Sequence, residues 1–380
     1  MKKSDIASLI VYALMLVALF LTFYFGARPA LLEGPFSGDN SFASIGVALG
    51  AILGSFIVGS LFLELGHYLG AKVGKYEVVL FNFIGFTVLK VNGKKKFKFK
   101  GPDGLISETR VTPKFNENGE CISKPKAMLW FGNLFLAALI IVSVVIYILY
   151  QPKRDSAISP VALMCAVSFG ALLFYNFLPI ELDNKTDGAA LKIVSKPANV
   201  EAYNESLRVA ACEVTGENPG EVKMFNDITS YTANINLITA YNRLAEDDFE
   251  GALKIFNQIL DSEDKISENL RLEMVAQKLY ILIYLNNIEK AKKFYEDLAP
   301  EDKRYISNSN KLVFIRTYVL ISGTLDPAES EVQYATSKAD KAYKRVDALK
   351  KDVEAKLYKN SVKRIKELHP NWTPVIKDEK

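Results

Sequence analysis

Glu64 and His67 stand three residues apart inside an otherwise apolar stretch, in the segment Leu63-Glu64-Leu65-Gly66-His67. On a helix, residues at i and i+3 share a face. A carboxylate and an imidazole on one face can act as an acid–base pair or as metal ligands. In a soluble helix this spacing would carry no message. At membrane depth ionisable side chains are costly and usually functional. The alternative is a structural pairing, with each other or with another helix. A second constellation lies further along, at Asn176-Phe177-Leu178-Pro179 and then Asp183-Asn184-Lys185-Thr186-Asp187-Gly188. Pro179 breaks a helix and frees backbone groups. Asp187-Gly188 forms a turn that can present a carboxylate. Near a membrane face, that carboxylate could complete a metal site with a histidine from another span. The alternative is an ordinary helix end with polar residues at the interface.

These residues need elements to hold them. Four apolar runs, at 6–25, 45–69, 128–150 and 159–182, have the roughly 20 residues that a bilayer crossing requires. The first has a longer apolar core than a signal peptide and no clear cleavage pattern, so it reads as a retained span. The chain of 380 residues is 49% apolar and 24% charged, a mixture that fits halves living in different solvents. Charged residues concentrate in 185–380. The net charge of +4 points to no polyanionic partner and no nucleic acid. Cys121, Cys165 and Cys212 are odd in number and widely spaced, which argues against a disulfide framework. His67 and His369 are the only histidines, which limits metal chemistry.

Basic residues in short loops set orientation. Lys2 and Lys3 precede the first run, the 27–41 loop has only Arg28, and the 72–126 segment is rich in lysine. Lys153 and Arg154 give a small contrary signal. The balance places the N-terminus, the 72–126 segment and everything after 182 in the cytoplasm. Within that segment, 76–91 reads as strands and Asn92-Gly93 as a hairpin turn. Residues 94–100 then alternate lysine with Phe97 and Phe99, giving one basic and one apolar face. Such a hairpin can lie at an anionic leaflet or receive an extended peptide at its edge. The simpler reading is a solvated hairpin whose lysines protect an edge.

Taken together, LELGHYLGAKVGKYEV, VNGKKKFKFK and YNFLPIELDNKTDG resemble the site-2 protease family of intramembrane zinc metalloproteases, in its Gram-positive and mollicute branch. The likeness covers about 45–190 and continues weakly into the helical tail. It implies His67 as a zinc ligand, Glu64 as general base, Asp187 as the carboxylate ligand with Asp183 as the alternative, and Asn176 as a residue that helps hold a substrate strand. Gly132-Asn133 is similar to a Gly…Asn element of the family, at a different spacing. The sequence departs from the family at Leu63, where the first zinc-binding histidine would stand. Leucine has no lone pair, and catalytic zinc normally takes three protein ligands plus water. Two readings follow. One is a protease of this family whose activity is impaired, with zinc as cofactor if active. The other is a pseudoprotease without a cofactor that acts as a membrane scaffold.

The tail from 192 onward reads as soluble and helical. Tyr241, Phe249, Ala252 and Phe256 fall on Tyr280, Ile288, Ala291 and Tyr295, each 39 positions later. A helix, a polar turn and a small residue three positions on suggest tetratricopeptide-like pairs at 230–350, although that repeat is usually about 34 residues. A third pair would begin near 312–322 and include 335–349. A lysine-rich helix follows at 328–368, with an apolar stripe at Val346, Leu349, Val353, Leu357, Val362, Ile365 and Leu368, and His369-Pro370 ends it. The expected fold is therefore mainly α. A polytopic membrane domain with a small β-hairpin insert (1–190) precedes a tetratricopeptide-like helical domain (191–380). The expected location is the cell membrane, multi-pass. Expected partners are membrane protein or peptide segments and a cytosolic protein bound by the repeats.

Overall fold

The structure is a computed structural model that describes residues 3–34, 41–91, 93–99, 107–153, 156–180, 186–262, 265–343 and 348–372. The chain divides into two compact units, Met1–Gly220 and Glu221–Lys380.

Among the described residues, four helical segments of the first unit are long and apolar enough to cross a membrane: Ile6–Glu33, Phe42–Val73, Pro125–Tyr150 and Ile158–Phe177. The first comprises α1 (Lys3–Thr22), a π-turn (Phe23–Ala27) and α2 (Arg28–Glu33). It runs past the expected end at 25, through Arg28 and Pro29. Proline is tolerated there because it falls in the first turn of α2. The second is α3 (Ser41–Val73), the third α4 (Pro125–Tyr150) and the fourth α5 (Ile158–Phe177). Helix α5 stops short of the expected 182. Leu178, which precedes Pro179, is extended at φ −62° and ψ 127°, and proline steers its predecessor away from the helical region.

Helix α3 approaches α4 very closely. A Cβ on Gly66 would lie 2.7 Å from Gly132 Cα, and one on Gly70 2.8 Å from Met128 Cα. Small residues four apart let apolar helices touch through their backbones, where lipid supplies no hydrophobic drive.

Between α3 and α4 the chain forms a four-stranded antiparallel sheet: β1 (Tyr76–Phe83), β2 (Phe86–Val91), β3 (Lys94–Phe99) and β4 (Ser107–Pro113), in the order β3-β2-β1-β4. The insert is therefore larger than a hairpin. Ile84 and Gly85, at φ 47° and 81°, turn β1 into β2. Gly93, at φ 75°, lies in the turn before β3, whereas Asn92 is outside the described residues. Helices α6 (Asp187–Val194) and α7 (Pro197–Thr215) complete the unit, and α7 packs on β4, β1 and β2. The Asn204 amide donates to the Ser123 carbonyl at 3.3 Å, and its oxygen accepts from the Tyr76 hydroxyl. Burial pushes the Tyr76 phenol well above its ordinary value. Because α6 and α7 pack in this way, the division falls after Gly220, beyond the 190 boundary drawn from composition.

The second unit contains α8 (Ser230–Ala245), α9 (Phe249–Leu260), α10 (Glu268–Tyr284), α11 (Ile288–Glu296), α12 (Pro300–Asn308), α13 (Leu312–Thr324), α14 (Glu329–Tyr343) and α15 (Ala348–Leu368). The α8–α9 and α10–α11 pairs turn alike. Asp247 and Asn286, 39 positions apart in sequence, both have φ 61°. Ala252 and Ala291 are both fully buried, as small residues at close helix contacts should be. Helix α15 crosses both turns. Lys356 Nζ donates to Asp247 Oδ2 at 2.8 Å, and Arg364 Nη2 donates to Asn286 Oδ1 at 3.0 Å. At the centre Arg316 is fully buried. It donates to Glu354 Oε2 at 2.7 Å and to Gln277 Oε1 at 2.6 Å, with its guanidinium 4.2 Å from the centre of the Tyr280 ring.

Candidate functional site

Four helices of the first unit bring polar side chains to one place. Helix α3 carries Glu64 and His67, α4 carries Asn133, the end of α5 carries Asn176, and α6 opens with Asp187. The local sequence explains each position. Pro179 ends α5 just after Asn176. Thr186 then caps α6, its hydroxyl accepting from Ala189 N at 3.2 Å and donating to the Leu178 carbonyl at 2.8 Å. That puts Asp187 in the first turn, where exposed amides and the helix dipole favour a carboxylate. Any side chain at Gly188 would overlap the carbonyls that end α5, so the glycine permits the close approach.

Asp187 Oδ2 is the hub. It lies 2.8 Å from His67 Nε2 and accepts from Asn133 Nδ2 at 3.0 Å and Asn176 Nδ2 at 2.6 Å. Asn176 Nδ2 also donates to Asn133 Oδ1 at 3.1 Å, and its own Oδ1 accepts from Asp187 N at 3.3 Å. On the other side of the imidazole, His67 Nδ1 faces Glu64 Oε2 at 3.4 Å. Glu64, Asn133 and Asp187 are all buried. Gly132 makes room for the ring, since a Cβ there would lie 2.5 Å from His67 Nε2 and 2.9 Å from Leu63 Cδ1.

The structure thus gathers Glu64, His67, Asn176 and Asp187. Leu63 sits beside Gly132 and offers only hydrocarbon. Asp183 lies outside the described residues. His369 belongs to the second unit, where its Nε2 donates to the Gly323 carbonyl at 2.7 Å and its ring stacks on Trp372. Sequence reasoning noted Asn133 but gave it no role, and it overlooked the glycine spacing of α3. Gly66-x3-Gly70-x3-Gly74 was the available signal, because it fixes which face of α4 meets His67.

Zinc does not fit these residues. Glu64 and Asp187 bracket the imidazole from opposite edges, one at each nitrogen, so the three groups do not converge on a point. Among the described residues no three His, Cys, Asp or Glu side chains are placed to hold a metal ion. A catalytic zinc needs three such ligands. The arrangement is instead a hydrogen-bonded relay, Glu64–His67–Asp187, braced by two amides. The ring satisfies both carboxylates when each nitrogen carries a proton.

A groove of about 520 Å³ between α4 and α5 ends at this cluster. Trp130, Leu134, Phe174 and Phe177 form its apolar walls, and Asn133 is its polar end. No family model matches this sequence, and no curated protein or solved structure matches it either.

Proposed function

We propose that this chain is a pseudoprotease of the site-2 protease type: a membrane protein that keeps the family's polar cluster and lacks its metal. It would bind membrane protein or peptide segments in the groove beside Asn133. The carrying observation is the direct 2.8 Å contact of His67 Nε2 with Asp187 Oδ2, with Glu64 at the opposite ring nitrogen and Leu63 where a third ligand is needed. The meeting of Glu64, His67 and Asp187 favours descent from a protease, with proteolysis as the ancestral role. The same contact favours loss of that activity in this chain.

An unwound segment in the groove would meet the amide oxygen of Asn133, a polar group among apolar walls. Such a group satisfies backbone polar atoms that hydrocarbon cannot. The lysines of 72–126 favour a cytoplasmic location for that segment, the N-terminus and the second unit. The paired helices of the second unit, with matched turns at Asp247 and Asn286, favour a tetratricopeptide-like scaffold for a cytosolic protein.

Metal analysis of the purified full chain tests this reading. The expected result is no stoichiometric zinc in the wild type and one zinc per chain in Leu63→His. Zinc in the wild type that disappears in His67→Ala would overturn it in favour of a working metal site.

A further inference from the structure

A second cavity, of about 700 Å³, opens between α3 and the sheet and is lined by none of the polar-cluster side chains. The cross-strand pairs Phe86↔Phe99, Val88↔Phe97 and Lys90↔Lys95 are spaced by two, so they share one face of β2 and β3. Phe81, paired with Val88, extends that face onto β1. The face turns toward α3, where the Phe81 and Tyr68 rings meet edge-on at 6.2 Å.

The direction of the strands gives this face a polarity. Strand β1 begins just past the end of α3 and runs back along it, so that Phe81 has returned to the level of Tyr68. The Phe86/Phe99 end therefore points toward the apolar body of α3. The Lys90/Lys95 end lies beside Lys72 in the last turn of α3, on the rim of the same cavity. Phe86, Phe97 and Phe99 are 66%, 79% and 76% exposed. Ile84, at the tip, is also exposed and holds φ 47°, a conformation that β-branched residues disfavour and that Gly or Asn would adopt easily in water. An apolar tip retained at that cost suits hydrocarbon surroundings.

The rim has the opposite character. Four lysines and one glutamate line the cavity. Lys90 pairs with Glu77 at 2.6 Å, and Lys72 lies over the Tyr68 ring at 4.6 Å. Lys95 and Lys114 have no ion pair among the described residues. Apolar residues directed along a membrane-length helix, below a ring of lysines at its end, match a lipid with acyl chains below and a negative headgroup above.

We infer that the cavity between α3 and the β1–β3 face binds an anionic phospholipid, its headgroup held by Lys72, Lys95 and Lys114 and its acyl chain lying along Val88 and Phe97. This needs α3 to cross the bilayer and is independent of the pseudoprotease reading.

Native mass spectrometry of the full chain, delipidated in detergent and titrated with phosphatidylglycerol or phosphatidylcholine, tests it. Phosphatidylglycerol should bind about tenfold tighter or more, given three lysines near one headgroup. Lys72→Gln/Lys95→Gln/Lys114→Gln should bring it to the phosphatidylcholine level. Lys94→Gln/Lys96→Gln/Lys98→Gln removes equal charge from the opposite face of β3 and should leave the preference intact. Inorganic phosphate at the same concentration should not displace the lipid. No preference in the wild type, equal loss in both triple variants, or displacement by phosphate would overturn the proposal. A second readout does not depend on the lysine variants. The emission added by Phe97→Trp should be quenched by phosphatidylglycerol with brominated chains in a reconstituted bilayer. Unquenched, water-like emission would overturn the proposal, as would quenching by an added acidic peptide in place of the lipid.

Discussion

His67 Nε2 and Asp187 Oδ2 lie 2.8 Å apart although 120 residues of chain separate them. Asn133 and Asn176 donate to the same oxygen, so α4, α5 and α6 are all tied to α3 through one atom. Removing a donor leaves a buried carboxylate short of a partner. Asn176→Ala and Asn133→Ala should each destabilise the first unit by about 1–3 kcal/mol. Asn176→Asp, which places a second carboxylate against the first, should cost more than either. Thermal unfolding in detergent reads the order, and an Asn176→Asp variant as stable as wild type would refute the hub.

Gly132 faces the same imidazole. A methyl group there would meet His67 Nε2 at 2.5 Å, and the ring is held in place by its contacts with Asp187 and Glu64. Gly132→Ala should lower stability by about 1–3 kcal/mol through overpacking. Gly170, on α5, has nothing within 4 Å of where its Cβ would lie. Gly170→Ala should be neutral or stabilise by up to about 1 kcal/mol, as alanine favours helix. Equal losses at both positions would show that the close approach of Gly132 is not what matters.

Much of this was legible in the residues because the signals were local. Apolar length marked the four membrane-length helices. The i,i+3 spacing puts Glu64 and His67 on one face. Asp187-Gly188, expected as a turn, instead opens α6, so the carboxylate is presented from a first helical turn. Other features depended on neighbours that no local window contains. Strand β4, Ser-Glu-Thr-Arg-Val-Thr-Pro, is too polar to stand out, and pairing with β1 makes it a strand. Ile84-Gly85 is an improbable turn, since isoleucine is a poor occupant of positive φ. Pro179 is a breaker by its chemistry, and the helix end it imposes falls at Phe177 and not at 182. The part of Asn133 in the site follows from how α3 and α4 cross, which the glycines at 66, 70 and 74 decide.

Orientation is open to chemical labelling. Gln151 lies exposed just after α4, and Ser337 is exposed on α14 of the second unit. In a background without Cys121, Cys165 and Cys212, Gln151→Cys should react with a membrane-impermeant maleimide on intact cells. Ser337→Cys should react only after permeabilisation. The reverse pattern would invert the proposed topology.

The second unit offers a sharper energetic test at Arg316 and Glu354. Burial opposes the Arg316 charge, but Glu354 beside it holds the guanidinium above its ordinary value, so it stays charged. Glu354→Leu leaves that cation buried and unpaired, which should cost about 3–5 kcal/mol. Glu354→Gln retains an acceptor and not the charge, so its loss should be smaller but clear. Replacing both partners, Arg316→Met/Glu354→Leu, removes the uncompensated charge and keeps apolar volume against Tyr280. Such replacements of buried pairs are often neutral or even stabilising, so the double variant should recover most of what Glu354→Leu loses. Urea unfolding of the full chain, followed through Trp372 in this unit, measures the series. A double variant no more stable than Glu354→Leu would mean that the Arg316–Gln277 hydrogen bond, rather than charge compensation, holds this core together.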